Sequence, residues 1–376
     1  MGSVVVAHSP ITLPAMSADR NHTSFVANTV VPLSGKPFGF VRRLLGGGRA
    51  RVKHGVGGSQ RRTLLDCLDV KVTAISGGVG AAKLLVGLGR ALRGPGLTAV
   101  VNTGDDEVLY GVHVSPDVDI VTYWLAGIAD TQRGWGIAED TFNVVEGLRE
   151  LGDAAWFNLG DRDFATCLVR TLMLGAGSTL SQVTAHVTAS LGVIPVVLPM
   201  TDDPVRTHVE CADGRTLAFQ EYFVRERCAP EVTGISFEGI EESRPAPGVL
   251  ESIASADLVV VCPSNPLVSV APVLSVPGIR AALADHPFVV AVSPIVGGAA
   301  LKGPADRMLV STGHESSATA VARMYADFCD HFVLDELDAS EVPAVEALGV
   351  ACTAFDTVMT DGTKAEKLAR YLLELR

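Results

Sequence analysis

From residue 71 onward, short apolar runs alternate with amphipathic stretches. The runs at Val72–Ile75, Thr98–Asn102, Val193–Leu198, Leu258–Cys262, Val289–Ser293 and Phe332–Leu334 read as strands. Their apolar character is continuous, as expected when helices cover both faces of a parallel sheet. Helical periodicity predicts Ala81–Leu92, Asp117–Ala126, Thr141–Leu151, Phe164–Leu174, Thr179–Leu191, Ala318–Phe328 and Thr363–Leu375. Thr179 and Gln182 stand at capping-box spacing at one of these starts. Alternating strands and helices predict an α/β fold: a Rossmann-like, doubly wound, mainly parallel sheet with helices on both faces. Between Thr207 and Phe219 the pattern changes to two alternating runs around Asp213-Gly214, a hairpin signal. A small inserted hairpin and helical region is therefore expected over roughly 200–248.

Residues 1–68 break this pattern. They show no sustained period and are read as a flexible or extraneous basic extension, leaving 69–376 as a single domain. Phe38–Leu45 has a basic amphipathic look, and no apolar h-region with an A-x-A site follows. The charge is correspondingly lopsided. Of the net −12, residues 1–65 contribute nine Lys/Arg against one acid, a net of +8, so the remainder carries −20. A body this acidic repels nucleic acid, so any anionic ligand must be held by local backbone donors and metal. The seven cysteines form no C-x-x-C or Cys/His cluster, which fits reduced thiols in a cytoplasmic protein. No apolar stretch reaches the roughly 18–20 residues that would span a bilayer.

In such a sheet ligands bind beyond the carboxyl ends of the strands, and the polar motifs fall there. Ser76–Gly80 (SGGVG) follows the first strand, with Gly77, Gly78 and Gly80 allowing positive φ or close backbone approach to a phosphate at a helix N-terminus. Neither the full G-x-G-x-x-G nor a P-loop is present, and a ligand-free βα turn would need similar glycines. Lys83 either reaches a phosphate or is exposed. Asp105 and Asp106 end the second strand's motif as hard oxygen ligands for magnesium or as an Asx turn. In Ser115–Asp119 (SPDVD), Asp117 reads as a first-turn helix residue, and Asp119 is free to bind a hydroxyl or simply solvated. Trp135, between glycines, offers a face to a flat ring or packs into the core. Asp161, Arg162 and Asp163 (with Leu159-Gly160, LGDRD) read as a first-turn ion network, as an Arg162 contact to phosphate, or as structural capping. Asp202 and Asp203 read as metal or turn residues. Ser264 and Asn265, on a proline-bounded loop, suit a phosphate or a base edge.

Nine collinear motifs resemble the 2-phospho-L-lactate transferase family (CofD/FbiA-like) from about Val72 to the C-terminus. They include SGGVGAAKLL, VVNTGDDE, SPDVDIVTY, RGWGIAEDTF, LGDRD and PSNPLVSVAPVLSVPGIR. The resemblance implies an enzyme of coenzyme F-420 biosynthesis. It would transfer a phospholactyl or phosphoenolpyruvyl group from a GMP-activated donor to the hydroxyl of the deazaflavin Fo, releasing GMP with magnesium (Mg2+) as cofactor. It also implies a homodimer and Fo contacts at Asp119 and Asn158, the latter standing where many members carry Lys or Arg. On this reading Gly77, Gly78, Gly80, Ser264 and Asn265 hold the donor phosphates and nucleotide. Asp105 ligates the metal with Asp106 in support, Asp119 orients Fo and serves as its base, and Trp135 flanks the ring. The alternatives are a gluconeogenesis-factor-like (YvcK-like) nucleotide-sugar-binding regulator and a Rossmann oxidoreductase.

Overall fold

The structure is a computed structural model in which residues 70–376 are described. The basic extension expected over 1–68 lies outside the described residues. Seven parallel strands form the central sheet: β1 (Val72–Ser76), β2 (Leu97–Val101), β3 (Val196–Pro199), β4 (Leu258–Val261), β5 (Val289–Val292), β6 (His331–Asp335) and β7 (Ala351–Phe355). Their spatial order is β7-β6-β5-β4-β1-β2-β3. Read from the other edge this is 3-2-1-4-5-6-7, the order of the doubly wound dinucleotide-binding sheet with one strand added. All six pairings are parallel.

Successive residues along each strand feed opposite faces, and the five inner strands are covered on both, whereas the edge strands β3 and β7 keep Val196 and Ala351 exposed. Ile75, Val100, Val259, Val261 and Ala291 join one apolar layer. Ala74, Ala99, Leu258, Val260, Val290 and Val333 join the other, under α1 (Gly78–Leu92) and the C-terminal helix Gly362–Glu374. That two-sided burial is why the strands read as continuous apolar runs. The two helices pack closely because Gly87 presents no Cβ to the Ala365 carbonyl.

Three further helices build the wall beside the sheet: α2 (Pro116–Leu125), α3 (Asn143–Glu150) and α4 (Asp161–Gly175). The next helix, Leu180–Ser190, starts with the expected capping box of Thr179 and Gln182. Beneath the hairpin Glu107–Leu109/Val112–Val114, a satellite core of Leu109, Val114, Val145, Leu159 and Cys167 ties α3 and α4 to the chain following β2. A three-stranded antiparallel sheet spans Arg206–Cys211, Thr216–Ala218 and Val232–Glu238, with a π-helical turn at Glu221–Arg225. The six described cysteines are free and buried. Among the described residues no helix is long and apolar enough to cross a membrane.

Candidate active site

One cavity of about 660 Å³ opens at the carboxyl ends of the strands, within the usual range of small-molecule sites. The chain segments that follow β1, β4, β5 and β7 all line it. It therefore straddles the boundary between β1 and β4, where the winding of the sheet reverses.

The glycine turn forms part of the floor, and its three glycines serve different needs. Only Gly78 has a positive φ, +71°. Gly77 is extended, but a Cβ there would lie 2.6 Å from Asp117 Oδ2 and 2.9 Å from Ser269 Cβ. Gly80 is helical and abuts the Pro263 carbonyl. The turn is fastened to the loop after β4 by Ser264 Oγ, which donates to the Gly77 carbonyl at 2.8 Å. Asn265 Oδ1 accepts from the Leu267 N–H at 3.0 Å and caps the following turn. Both line the cavity. Lys83, on α1, donates to the Met359 carbonyl at 3.0 Å. Burial and then the nearby Lys302 hold its pKa below the ordinary lysine value. Lys302, Arg133 and the α1 N-terminus thus give one side of the cavity a positive character.

Behind the glycine turn lies an acidic cluster. Asp117 lines the cavity, and its Oδ2 accepts from Asn102 Nδ2 at 2.9 Å. Burial raises its pKa to about 6, against the Asn102 and Gly78 N–H hydrogen bonds and with Asp106 adding to the rise. Asp105 and Asp106 are buried but do not line the cavity. Burial, then the Asp117 charge, pushes Asp105 well above the ordinary carboxylate range. Asp106 Oδ2 accepts from Ser115 Oγ at 2.6 Å and meets His113 Nε2 at 3.0 Å. The Oδ1 atoms of both Asp105 and Asp106 are buried without a hydrogen-bond partner. Orphaned carboxylate oxygens among like charges are costly unless a cation joins them. This donor set, all hard oxygen, fits a magnesium ion.

A second acidic group sits further along the wall. Asp119 and Asp163 are brought together with Cys167, but the fully buried Arg170 already meets both oxygens of Asp119. Burial drives the Cys167 thiol far up. A guanidinium in place and a neutral thiol make this trio a poor match for a hard cation.

Aromatic side chains close the cavity at two places. Trp135 is 37% exposed and packs edge-on against Phe142, centroids 6.4 Å apart, with the Arg133 guanidinium 5.0 Å from its ring. Phe219 and Phe223, also on the cavity lining, stack at 5.6 Å and 6°. Asn158 lines the cavity with its Oδ1 taken by Arg149 Nη2 at 2.9 Å, so its amide NH2 is what remains to donate.

Of the residues singled out from sequence, Gly77, Gly78, Gly80, Lys83, Asp117, Asp119, Trp135, Asn158, Asp163, Ser264 and Asn265 share this cavity, whereas Asp105 and Asp106 are buried and do not line it. Asp202 and Asp203 instead hold local structure: Asp202 accepts from Ser181 in the first turn of the helix Leu180–Ser190, and Asp203 from the Arg244 N–H. Asp161 does the same for Thr141, Asn143 and Val144. Sequence reasoning did not find Arg170, Tyr123, Lys302 or the Phe219–Phe223 pair. The F-x-x-x-F spacing beside the hairpin was the one available signal.

The sheet order and a cavity at its switch point, floored by a glycine turn, place the chain in the nucleotide-binding α/β class of folds. Comparison with known proteins narrows this. Residues 72–370 match the family described as 2-phospho-L-lactate transferase CofD. A "Phosphoenolpyruvate transferase" of Streptomyces griseus is 46% identical over 312 residues, covering 81% of this chain and 98% of that protein. A "2-phospho-L-lactate transferase" of Methanosarcina mazei is 40% identical over 299 residues, covering 80% and 98%. A solved structure from Bacillus halodurans, described as a member of the UPF0052 family, shares the fold at TM-score 0.55 and 18% identity, covering 81% of this chain and 98% of that one. The chain belongs to the 2-phospho-L-lactate transferase CofD family and is a transferase.

Proposed function

We propose that this enzyme transfers a phosphorylated three-carbon acid from a GMP-activated donor to the hydroxyl of the deazaflavin Fo, releasing GMP, in coenzyme F-420 biosynthesis. The observation that carries this reading is the single cavity that joins the glycine turn, Asp119 and Trp135. The enolpyruvyl group is the first choice for the acid, since the relatives at 44–46% identity are named phosphoenolpyruvate transferases and those at 38–40% 2-phospho-L-lactate transferases. The phospholactyl group is the second.

Breaking a phosphoanhydride needs in-line positioning and charge neutralisation more than a protein nucleophile. The α1 N-terminus with Gly77, Gly78 and Gly80 would receive the donor phosphates, helped by Lys83. The loop of Ser264 and Asn265 would border the nucleotide. Magnesium would be held by Asp105 with Asp106 in support, beside Asp117, and would supply neutralisation of the donor's phosphate charge. Asp119 and Asn158 would bind the ribityl hydroxyls of Fo, and Trp135 would flank its ring. The Arg149 guanidinium that holds Asn158 brings a cation next to a position where the resemblance implies Lys or Arg. A homodimer in the cytoplasm is part of the same reading.

The test is incubation with Fo, magnesium and each GMP-activated acid, following GMP release and product mass. GMP release coupled to a phosphodiester of Fo supports the reading, and the mass separates enolpyruvyl from lactyl by two hydrogens. No GMP release with any three-carbon donor would refute it.

A further inference from the structure

Transfer to an alcohol requires a group that takes the hydroxyl proton, and Asp119 is badly placed to do so. Its Oδ2 accepts from Arg170 Nη1 at 3.1 Å and its Oδ1 from Arg170 Nη2. Arg170 is itself fixed by donating to the His113 carbonyl at 3.1 Å. A carboxylate with both oxygens in a guanidinium fork can still accept a ligand hydroxyl on its remaining lone pairs, but the paired cation favours its ionised form and weakens its hold on a proton.

Asp163 differs. It stands in the first turn of α4, is 8% exposed and lines the cavity. Its Oδ1 accepts from the Tyr123 hydroxyl at 2.7 Å, and its own N–H donates to Asp140 Oδ2 at 3.1 Å. Among the described residues its Oδ2 has no hydrogen-bond partner, and that atom is not sealed off. It lies by Gly136, where a Cβ would sit 4.0 Å from it, next to Trp135 on the cavity wall. One oxygen is therefore clamped and the other is open beside the stretch of cavity lining formed by Trp135 and Gly136.

We infer that Asp163 is the general base of the transfer, accepting the proton of the attacking hydroxyl on Oδ2 while Tyr123 holds the carboxylate. The inference rests on the transfer proposed above. The acceptor O–H bond breaks and its proton passes to Asp163. The acceptor oxygen bonds to phosphorus as the bond from phosphorus to the GMP oxygen breaks, and that electron pair leaves on GMP. Asp163 then loses its proton to solvent as the products depart. The surroundings suit the task. Burial, then the Asp119 charge, raises Asp163 to about 7, with Asp140 adding to the rise and Tyr123 and Arg170 opposing it. Cys167 is a further titratable neighbour, and burial keeps it a thiol. A base is most effective when its pKa lies near the working pH.

The test compares wild type, Asp163→Asn, Asp163→Glu and Tyr123→Phe in rate-versus-pH profiles with Fo and the GMP-activated donor. Asp163→Asn should lower kcat by roughly 10²–10⁴-fold, with KM for Fo moving far less. The rise in wild-type rate with pH near 7 should vanish in Asp163→Asn, and Asp163→Glu should recover part of kcat. Tyr123→Phe removes a hydrogen bond that favours the ionised form, so its acidic limb should move to higher pH. A folded Asp163→Asn enzyme with wild-type kcat and the same acidic limb would overturn the assignment. Should that variant fail to fold, an unshifted limb in Tyr123→Phe would overturn it. Wild-type enzyme that forms no Fo product would instead remove the functional reading, and this inference with it.

Discussion

Arg170, from α4, closes on Asp119, from α2, with its guanidinium spanning both carboxylate oxygens and both side chains buried. The pair locks the helix that carries the acceptor-side acids to the helix that carries Asp163. Burial raises the pKa of Asp119, and Arg170 opposes that rise.

Removing one partner of a buried pair leaves the other charge uncompensated, at about 3–5 kcal/mol. Arg170→Met is therefore expected to lose that much stability near neutral pH in chemical denaturation. Adding Asp119→Asn should return most of the loss, because the orphaned charge is gone. A single-variant loss below about 1 kcal/mol would mean that solvent reaches the pair.

The acidic cluster makes a prediction in the metal-free protein. Asp105 is raised above its ordinary 3.8 in the fold. The native state then keeps a proton that the unfolded chain releases, so stability falls as pH climbs from that value through the raised one. Asp105→Asn removes this penalty and should melt above wild type in EDTA near neutral pH. Magnesium should raise the wild-type Tm through preferential binding to the native state and leave the variant unmoved. Equal magnesium responses in the two proteins would take Asp105 out of the metal site.

Gly80 has ordinary helical geometry but no room, since a Cβ would strike the Pro263 carbonyl, which is backbone and cannot swing aside. Gly80→Ala should cost about 1–3 kcal/mol as overpacking. It should also displace the loop that carries Ser264, raising KM for the nucleotide donor more than for Fo. Gly89, on the same helix, would place a Cβ 3.9 Å from Pro195 Cγ, an ordinary contact. Gly89→Ala should accordingly gain up to about 1 kcal/mol from helix propensity, and the pair of melts separates crowding from a general glycine effect.

Six of the seven sheet strands could be read from the chain: five because burial on both faces leaves continuous apolar runs, and the edge strand β3 because Val196–Pro199 follows an apolar stretch despite its exposed Val196. β7, Ala351–Phe355, escaped since ACTAF mixes small and polar residues at a sheet edge. Short helices such as Val249–Ser255 and Ile279–Ala284 are too brief to establish a period. The glycine turn was legible because its demand for small residues is local. The Arg170–Asp119 pair was not, since it joins residues 51 apart and Arg170 sits among residues that read as an ordinary amphipathic helix. Asp163 and Asp161 looked alike in LGDRD, yet one caps a turn and the other faces the cavity. Only the direction of the helix separates them.

Trp135 is held on the cavity wall by two contacts that leave part of the indole open. Phe142 meets it edge-on, and Arg133, itself fixed by Asp130 at 2.7 Å, lies against it. A flat deazaflavin could stack on the part that remains exposed. Aromatic pairs are worth about 0.5–1.5 kcal/mol beyond area burial, so Trp135→Ala should weaken Fo binding by roughly 3–10-fold, with Trp135→Phe close to wild type. Fo fluorescence during titration measures this directly, and KM for the donor should not follow. If Trp135→Ala binds Fo as tightly as wild type while Phe223→Ala does not, the ring rests instead on the stacked Phe219–Phe223 pair.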